Sequence, residues 1–240
     1  GDSPAQSLLA ALEMDAALRE APGDFLAIVD ANVGYNKANA RIRQSAAYRV
    51  DLAAAQPTAS LTITYIHTAT RAYPCRAEIR YDPVYEQMMD RCYWDYARVY
   101  TPQGSQLRDA SRHPAPASAI WGGVADAGEV TVHQAAEGPW LSLEALNLAP
   151  TATTLARRYD LTLAPAAVHR EGDEGWYTLR LIKQPGAAPY PVTVAVRLPA
   201  GAMLLDAAPQ PAASDAQGWQ SYRLTLDRDQ TVRVHWRAAR

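Results

Sequence analysis

The sequence predicts a mostly β protein that consists of two tandem, immunoglobulin-like antiparallel β-sandwich modules. Residues 99–110 (VYTPQGSQLRDA) return later as residues 196–207 (VRLPAGAMLLDA), each with the pattern of a strand, a Pro-x-Gly turn and a second strand. Residues 148–159 likewise resemble residues 226–236 with one residue gapped. Because the first repeat recurs after about 100 residues, the length of one β-sandwich domain, we expect two related modules.

The composition fits a folded chain with two modules. Of its 240 residues 48% are hydrophobic, and the formal net charge is −2. This charge balance argues against a nucleic-acid partner, which requires clustered basic residues. No run approaches the roughly 18 apolar residues of a membrane span.

The first predicted element is an N-terminal helix within residues 1–22. Ser3 stands at the N-cap, Pro4 at the first helical position, and Gln6 completes a capping box. Pro22 and Gly23 end this helix.

The first module is predicted at residues 23–165. Its strands are predicted from continuous or alternating apolar segments at 25–29, 41–52, 59–67, 94–101, 128–133, 140–146 and 154–163. An insertion at residues 73–96 breaks the β pattern. Within it Asp82 stands at an N-cap and Pro83 at the first position of a helix that we expect to continue to Arg91.

The second, smaller module is predicted at residues 174–240, after a linker near residues 164–175 that is rich in turn-forming residues. Its strands are predicted at 176–183, 191–198, 203–207, 219–226 and 231–236.

Cys75 and Cys92 are the only cysteines, and they bracket the helical insertion. A disulfide here would close a loop that has little core of its own and would indicate an oxidising compartment. Two buried, unpaired thiols in a cytosolic protein are the alternative.

The insertion is also rich in aromatic and acidic residues. Tyrosine and tryptophan rings stack on sugars and carboxylates accept hydroxyl hydrogen bonds, so this segment is a candidate carbohydrate platform. The alternative is that these rings form the core of the insertion. The candidate ligand-binding residues are Tyr85, Glu86, Trp94, Asp95 and Tyr96.

No metal, cofactor or catalytic residue is predicted. Asp30, Asn32 and Asn36 have a spacing similar to a calcium loop, but Arg41 stands where an EF-hand requires a bidentate Glu. A turn held by Asx hydrogen bonds explains the three residues better. The sequence contains no Gly-x-Ser-x-Gly elbow and no phosphate-binding glycine loop, and its five histidines are scattered singly.

Two segments resemble a family of bacterial surface proteins known as domain of unknown function 4012. They are residues 23–37 (GDFLAIVDANVGYNK) and residues 73–100 (YPCRAEIRYDPVYEQMMDRCYWDYARVY). The resemblance implies an extracytoplasmic, membrane-anchored protein of which this chain is the C-terminal part, attached to the membrane only through a segment outside these 240 residues. It also implies the Cys75–Cys92 disulfide, and it implies no catalytic residues.

The sequence therefore predicts a non-catalytic extracytoplasmic module of a bacterial cell-surface protein. Its expected role is adhesion, envelope scaffolding or binding of a cell-envelope glycan or protein partner. A hydrolase of envelope polysaccharide, with carboxylates from Asp82, Glu86, Asp90 and Asp95, is one alternative. A purely structural stalk or subunit contact is the other.

Overall fold

The computed structural model describes residues 3–11, 18, 22–136 and 138–239. Within these residues two α-helices and fifteen β-strands are present. The helices are α1 (Pro4–Ala11) and α2 (Tyr85–Met89). The strands are β1 (Asp24–Asn32), β2 (Ile42–Asp51), β3 (Thr58–His67), β4 (Tyr93–Pro102), β5 (Gln106–Ala110), β6 (Thr131–Gln134), β7 (Trp140–Ala149), β8 (Thr154–Thr162), β9 (Val168–Glu171), β10 (Glu174–Ile182), β11 (Tyr190–Arg197), β12 (Met203–Ala208), β13 (Ala213–Ser214), β14 (Trp219–Leu226) and β15 (Gln230–Arg237).

The strands form two sheets, which we name sheet A and sheet B. Sheet A has the order β12-β15-β10-β1-β4-β7-β6, with β9 paired to β10, and sheet B has the order β13-β14-β11-β2-β3-β8-β5. The prediction of a mostly β, sandwich-like protein is confirmed, but the sheets are mixed rather than purely antiparallel. Strand β1 pairs in parallel with β10, and β2 pairs in parallel with β11.

Both parallel pairs join strands from the two sides of the predicted linker. The predicted modules at residues 23–165 and 174–240 therefore share both sheets. They also share one hydrophobic core, in which Tyr48, Leu61 and Leu143 pack together with Leu179 and Trp236. Separate antiparallel modules were expected because a repeat identifies equivalent strands but not the strands that flank them.

Six strands from each side of the linker are paired in the same way. Strands β3, β8 and β5 are neighbours, as are β10, β15 and β12, while β4-β7-β6 corresponds to β11-β14-β13. In the first set β3-β8-β5 belongs to sheet B and β4-β7-β6 to sheet A, whereas in the second set β10-β15-β12 belongs to sheet A and β11-β14-β13 to sheet B. Strand β1 lies between the two sets in sheet A, and β2 lies between them in sheet B. The agreement extends to irregularities, because the register shifts between Leu107 and Asp109 on β5 and between Leu204 and Asp206 on β12.

Alternation along the strands explains the core. In β3 the inward residues are Ala59, Leu61, Ile63, Tyr65 and His67, and threonine or serine mostly stands between them. Successive side chains of a strand point to opposite faces, so this pattern buries one face and leaves the other partly exposed.

The described residues show part of the helix that is predicted within residues 1–22. It covers Pro4–Ala11, and Leu8 on it is exposed. Residues 12–17 and 19–21 of the predicted helix lie outside the described residues. Leu18 packs on a second small cluster on the outer face of sheet A, which contains Phe25, Ala27, Tyr100 and Trp140.

Candidate functional site

We call the end of the sandwich at which β1 finishes and β4 begins the loop end, and three of its loops are residues 33–41, 68–92 and 111–130. The predicted disulfide is confirmed in the second of these loops. Cys75 and Cys92 are bonded, with a Cα–Cα distance of 5.6 Å. The bond ties the loop to the start of β4, and the structure therefore supports the stapled-loop interpretation over two free thiols.

The helix in this loop differs from its prediction. It covers Tyr85–Met89 rather than residues 83–91, and Val84 stands at its N-cap. The Asp82 carboxylate accepts a 2.9 Å hydrogen bond from the backbone N–H of Val84, so Asp82 closes a turn before the helix. Pro83 is therefore part of that turn and not the first residue of the helix.

Two of the acids considered for polysaccharide hydrolysis are held in ion pairs. Asp82 pairs with Arg91 at 2.5 Å, and Asp90 pairs with Arg41 at 3.0 Å. The guanidinium of Arg91 also lies 4.1 Å from the centre of the Tyr73 ring. These pairs brace the disulfide loop, because each joins residues that are separated along it or lie on different loops.

The five predicted ligand-binding residues lie in three environments. Tyr85 and Glu86 are exposed on α2. Trp94 and Asp95 are buried, 5% and 0% exposed, and so have almost no surface to offer a ligand. Tyr96 is half-buried and donates a 2.6 Å hydrogen bond to Glu144. The structure therefore does not bring all five side chains to one exposed surface.

A different group of side chains forms an exposed surface at the loop end. The guanidinium of Arg80 lies 4.5 Å from the ring centre of Trp121 and 5.4 Å from that of Tyr35. Trp121 is 76% exposed and Tyr35 is 78% exposed. We name these three residues the Arg80 surface. Apolar side chains on the same three loops are also exposed, namely Val33, Tyr81, Val84, Tyr85 and Val124.

Trp94 supports the loops that carry the Arg80 surface. Its indole Nε1 donates a 2.9 Å hydrogen bond to the carbonyl oxygen of Ala119, two residues before Trp121. Its ring also packs on Gly34, where an added Cβ would lie 2.9 Å from Trp94 Cε3. Sequence reasoning missed the Arg80 surface because its members come from three loops, and no local pattern connects them.

The loop with Asn32 and Asn36 is held by side-chain amides, as the Asx-turn interpretation predicts. The Asn32 side chain accepts from the Gly34 N–H at 2.9 Å and donates to Asn36 Oδ1 at 3.0 Å. The Asn36 amide donates to the carbonyl oxygen of Cys92 at 3.0 Å. Asp30 lies apart from this network and accepts from Tyr65. Among the described residues no group of His, Cys, Asp and Glu is arranged to hold a metal ion.

Two carboxyl groups lie next to each other inside the sandwich. Asp30 accepts a 2.6 Å hydrogen bond from the Tyr65 hydroxyl, and Asp95 accepts from Tyr93 at 3.2 Å and from Asn147 at 3.0 Å. Burial raises the pKa of both carboxyl groups, and the charge of Asp30 raises the pKa of Asp95 further. A carboxyl pair with raised pKa values is a feature of some hydrolases, but Asp95 here has no exposed surface for a substrate.

A buried arginine completes this polar interior. Arg157 Nε donates to Asn147 Oδ1 at 2.6 Å, and its other nitrogens donate to the carbonyl oxygens of Ser111, Gly128 and Leu146. Burial lowers the pKa of its guanidinium. Arg157 therefore fixes both ends of the 111–130 loop to β8, which stabilises the loop that presents Trp121.

The histidines are less isolated in space than in sequence. His169 and His235 contact the ring of Trp176 at centroid distances of 5.3 and 4.6 Å. His235 Nε2 also lies 2.7 Å from Glu174 Oε2. This group lies on β9, β10 and β15, away from the loop end.

No protein-family model matches this sequence, and a search of curated proteins finds no match. Solved structures with a similar arrangement of strands include a protein assigned to nutrient binding from Legionella pneumophila, with a TM-score of 0.44 and 9% identity over 89% of this chain and 71% of that one. An M1 zinc metallopeptidase from Deinococcus radiodurans has a TM-score of 0.38 and 11% identity, over 82% of this chain and 41% of that one.

Native yeast LTA4 hydrolase has a TM-score of 0.40 and 7% identity, over 84% of this chain and 30% of that one. The chain thus spans less than half the length of the peptidase and the hydrolase. At these values the similarities carry no argument about activity. Among the described residues no helix is long and apolar enough to cross a membrane.

Proposed function

We propose that this chain is a non-catalytic recognition module of an extracytoplasmic protein, and that it binds a protein partner through the Arg80 surface. The main observation behind this proposal is that two exposed rings flank the guanidinium of Arg80. These rings belong to Trp121 and Tyr35, and both side chains are more than three-quarters exposed. Tryptophan, tyrosine and arginine are the residues most enriched at the energetic centres of protein interfaces.

The chemistry of this surface favours a protein over a glycan. The Arg80 guanidinium lies over the Trp121 ring, so one face of that ring is already occupied. Exposed valines stand on the same three loops at residues 33, 84 and 124, and apolar side chains of this kind pack against a protein rather than against hydroxyl-rich sugars.

The proposed location is the bacterial cell surface, in a protein that is anchored to the membrane. The Cys75–Cys92 disulfide is compatible with an oxidising, extracytoplasmic compartment. The resemblance of residues 23–37 and 73–100 to the family known as domain of unknown function 4012 supports the same location. We also propose that the two equivalent six-strand sets arose by tandem duplication of one immunoglobulin-like unit, which the shared pairing order and the two matched bulges support.

The test is the binding of disulfide-bonded protein to envelope vesicles from the bacterium that produces it. Wild type is compared with a Tyr35→Ser/Trp121→Ser variant, and Met203→Ser is the control because Met203 is exposed on β12, outside the loop end. Vesicles are also treated with protease or with periodate before binding.

We expect protease to abolish binding and periodate to spare it, with the double variant unable to bind and M203S unaffected. Loss of binding after periodate alone would identify a glycan at the Arg80 surface instead. Absence of binding by wild type would leave a structural stalk as the better account.

A further inference from the structure

A second site lies on the outer face of sheet B, near the end of the sandwich opposite to the loop end. An open groove of about 480 Å³ crosses this face. The residues that decide its chemistry are Arg49, Ser60, Arg108, Asp109, Asp160 and Trp219.

The pairing registers arrange four of these residues in one row across the sheet. Arg49 on β2 stands opposite Ser60 on β3, Ser60 opposite Asp160 on β8, and Asp160 opposite Asp109 on β5. Since neighbouring strands lie about 4.8 Å apart, the row spans roughly 14 Å. A groove of this length and openness fits an extended chain of small polar units better than a single small molecule.

The β-bulge on β5 adds a cation to the row. Its register shifts between Leu107 and Asp109, so Arg108 is the extra residue. A bulge re-aims side chains that would otherwise alternate, and both Arg108 and Asp109 line the groove as a result.

Some charged side chains of the groove form ion pairs and others do not. Asp160 is held by Arg158 on the same strand, with Oδ1 3.0 Å from Nε and Oδ2 2.5 Å from Nη2, and Asp51 is held by Arg197 at 3.3 Å. Within the described part of the chain neither the guanidinium of Arg49 nor that of Arg108 forms an ion pair or a hydrogen bond. Arg49 instead lies 4.1 Å over the ring of Trp219.

We propose that this groove binds an acidic oligosaccharide, a chain of sugars that carry carboxylates. The two unpaired guanidinium groups supply planar pairs of donors for carboxylates. Ser60 and the aspartates between them supply acceptors and a hydroxyl for the sugar hydroxyl groups. The site is separate from the Arg80 surface and does not depend on a function for it.

The binding measurement is titration calorimetry with tetramers of galacturonate, of mannuronate and of hyaluronan, each compared with its methyl ester as the neutral counterpart. We expect at least one acidic tetramer to bind and its neutral form to bind about tenfold more weakly, because a charged hydrogen bond is lost.

Variants locate the site. Arg49→Gln and Arg108→Gln should each weaken binding by about tenfold. Arg223→Gln is the matched control, since Arg223 is exposed on β14 and does not line the groove. This control should bind as wild type does. Using two exposed arginines keeps the test valid if one variant fails to fold.

Three results would overturn the proposal. The first is that none of the acidic tetramers binds. The second is that R223Q weakens binding as much as R49Q and R108Q do, which would mean a diffuse charge effect. The third is that tetraglutamate binds as tightly as the sugars, which would make the occupant an acidic peptide.

Discussion

The hydroxyl of Tyr177 donates a 2.7 Å hydrogen bond to the buried carboxylate of Asp24, across the parallel pairing of β10 and β1. Tyr48 on β2 donates to the same carboxylate oxygen at 2.9 Å. Asp24 thereby connects both sheets and joins the central strands β1 and β2 to β10 of the second six-strand set. Burial outweighs the two hydrogen bonds and raises the pKa of Asp24 to about 6.

This pKa predicts a loss of stability as the pH rises. The pKa is about 6 in the folded chain and 3.8 without burial, so the fold favours the protonated acid. The stabilisation is complete below pH 3.8 and is lost as the pH rises through about 6. The difference corresponds to roughly 3 kcal/mol of unfolding free energy. Asp24→Asn should remove this contribution and leave those of Asp30 and Asp95, whose pKa values burial also raises, measured by urea unfolding at a series of pH values.

The control for this prediction is Glu171→Gln, an exposed acid on β9. This variant should keep the pH dependence of wild type. If D24N loses stability with rising pH as steeply as E171Q does, Asp24 is not the group responsible.

Arg157 should matter far more to stability than its neighbour on the same strand. Arg157→Met removes the donors to the buried Asn147 Oδ1 and to the carbonyl oxygen of Ser111, whereas the carbonyl oxygen of Gly128 still accepts from the His113 N–H. We expect a loss of about 3 kcal/mol in the free energy of unfolding. Arg158→Met, at a side chain that is 60% exposed, should cost less than about 1 kcal/mol. Equal losses in the two variants would contradict the assigned role of Arg157.

Removal of the disulfide should destabilise the chain without changing its fold. Cys75 and Cys92 are separated by 17 residues in sequence. Closing a loop of this size contributes roughly 3 kcal/mol in the chain-entropy model. The Cys75→Ser/Cys92→Ser variant should therefore unfold at a lower urea concentration than oxidised wild type. Reducing agent should lower the urea midpoint of wild type to that of the variant. A midpoint that does not move would show that the bond adds no stability.

Gly175 is required by its contact with a tryptophan on the next strand. A Cβ at this position would lie 2.3 Å from Cζ2 of Trp236, its partner across β10 and β15. Gly175→Ala should cost about 2 kcal/mol through overpacking. In a double-mutant cycle with Trp236→Leu the cost of the alanine should fall, because the shorter side chain makes room. Strict additivity would place the strain elsewhere.

The repeat and the cysteine spacing contain much of what the structure shows. Residues 99–110 and 196–207 both form a strand, a turn and a bulged strand, since Pro-x-Gly turns and alternating apolar residues act locally. The disulfide could be predicted because its two cysteines bracket an insertion that has little core of its own. The sequence does not predict the parallel partners of β1 and β2, because these partners lie more than 100 residues away and alternation predicts a strand but not its neighbour.

The candidate site was harder to predict for two reasons. A buried carboxylate such as Asp95 is rare, so an acidic residue among aromatics was interpreted as a surface group. Tyr35, Arg80 and Trp121 lie on separate loops, and only the folded chain brings them together.

The direction of β1 determines how the Arg80 surface is displayed. Asp24 lies at one end of this strand and Asn32, beside the loop end, at the other, roughly 27 Å away over a strand of nine residues. Arg237 at the end of β15 stands opposite Glu174, at the same end of sheet A as Asp24. Both strand ends therefore lie on the side of the sandwich remote from Trp121. A partner that approaches Trp121 along the long axis of the sandwich meets the loop end first, with these two strand ends on the far side.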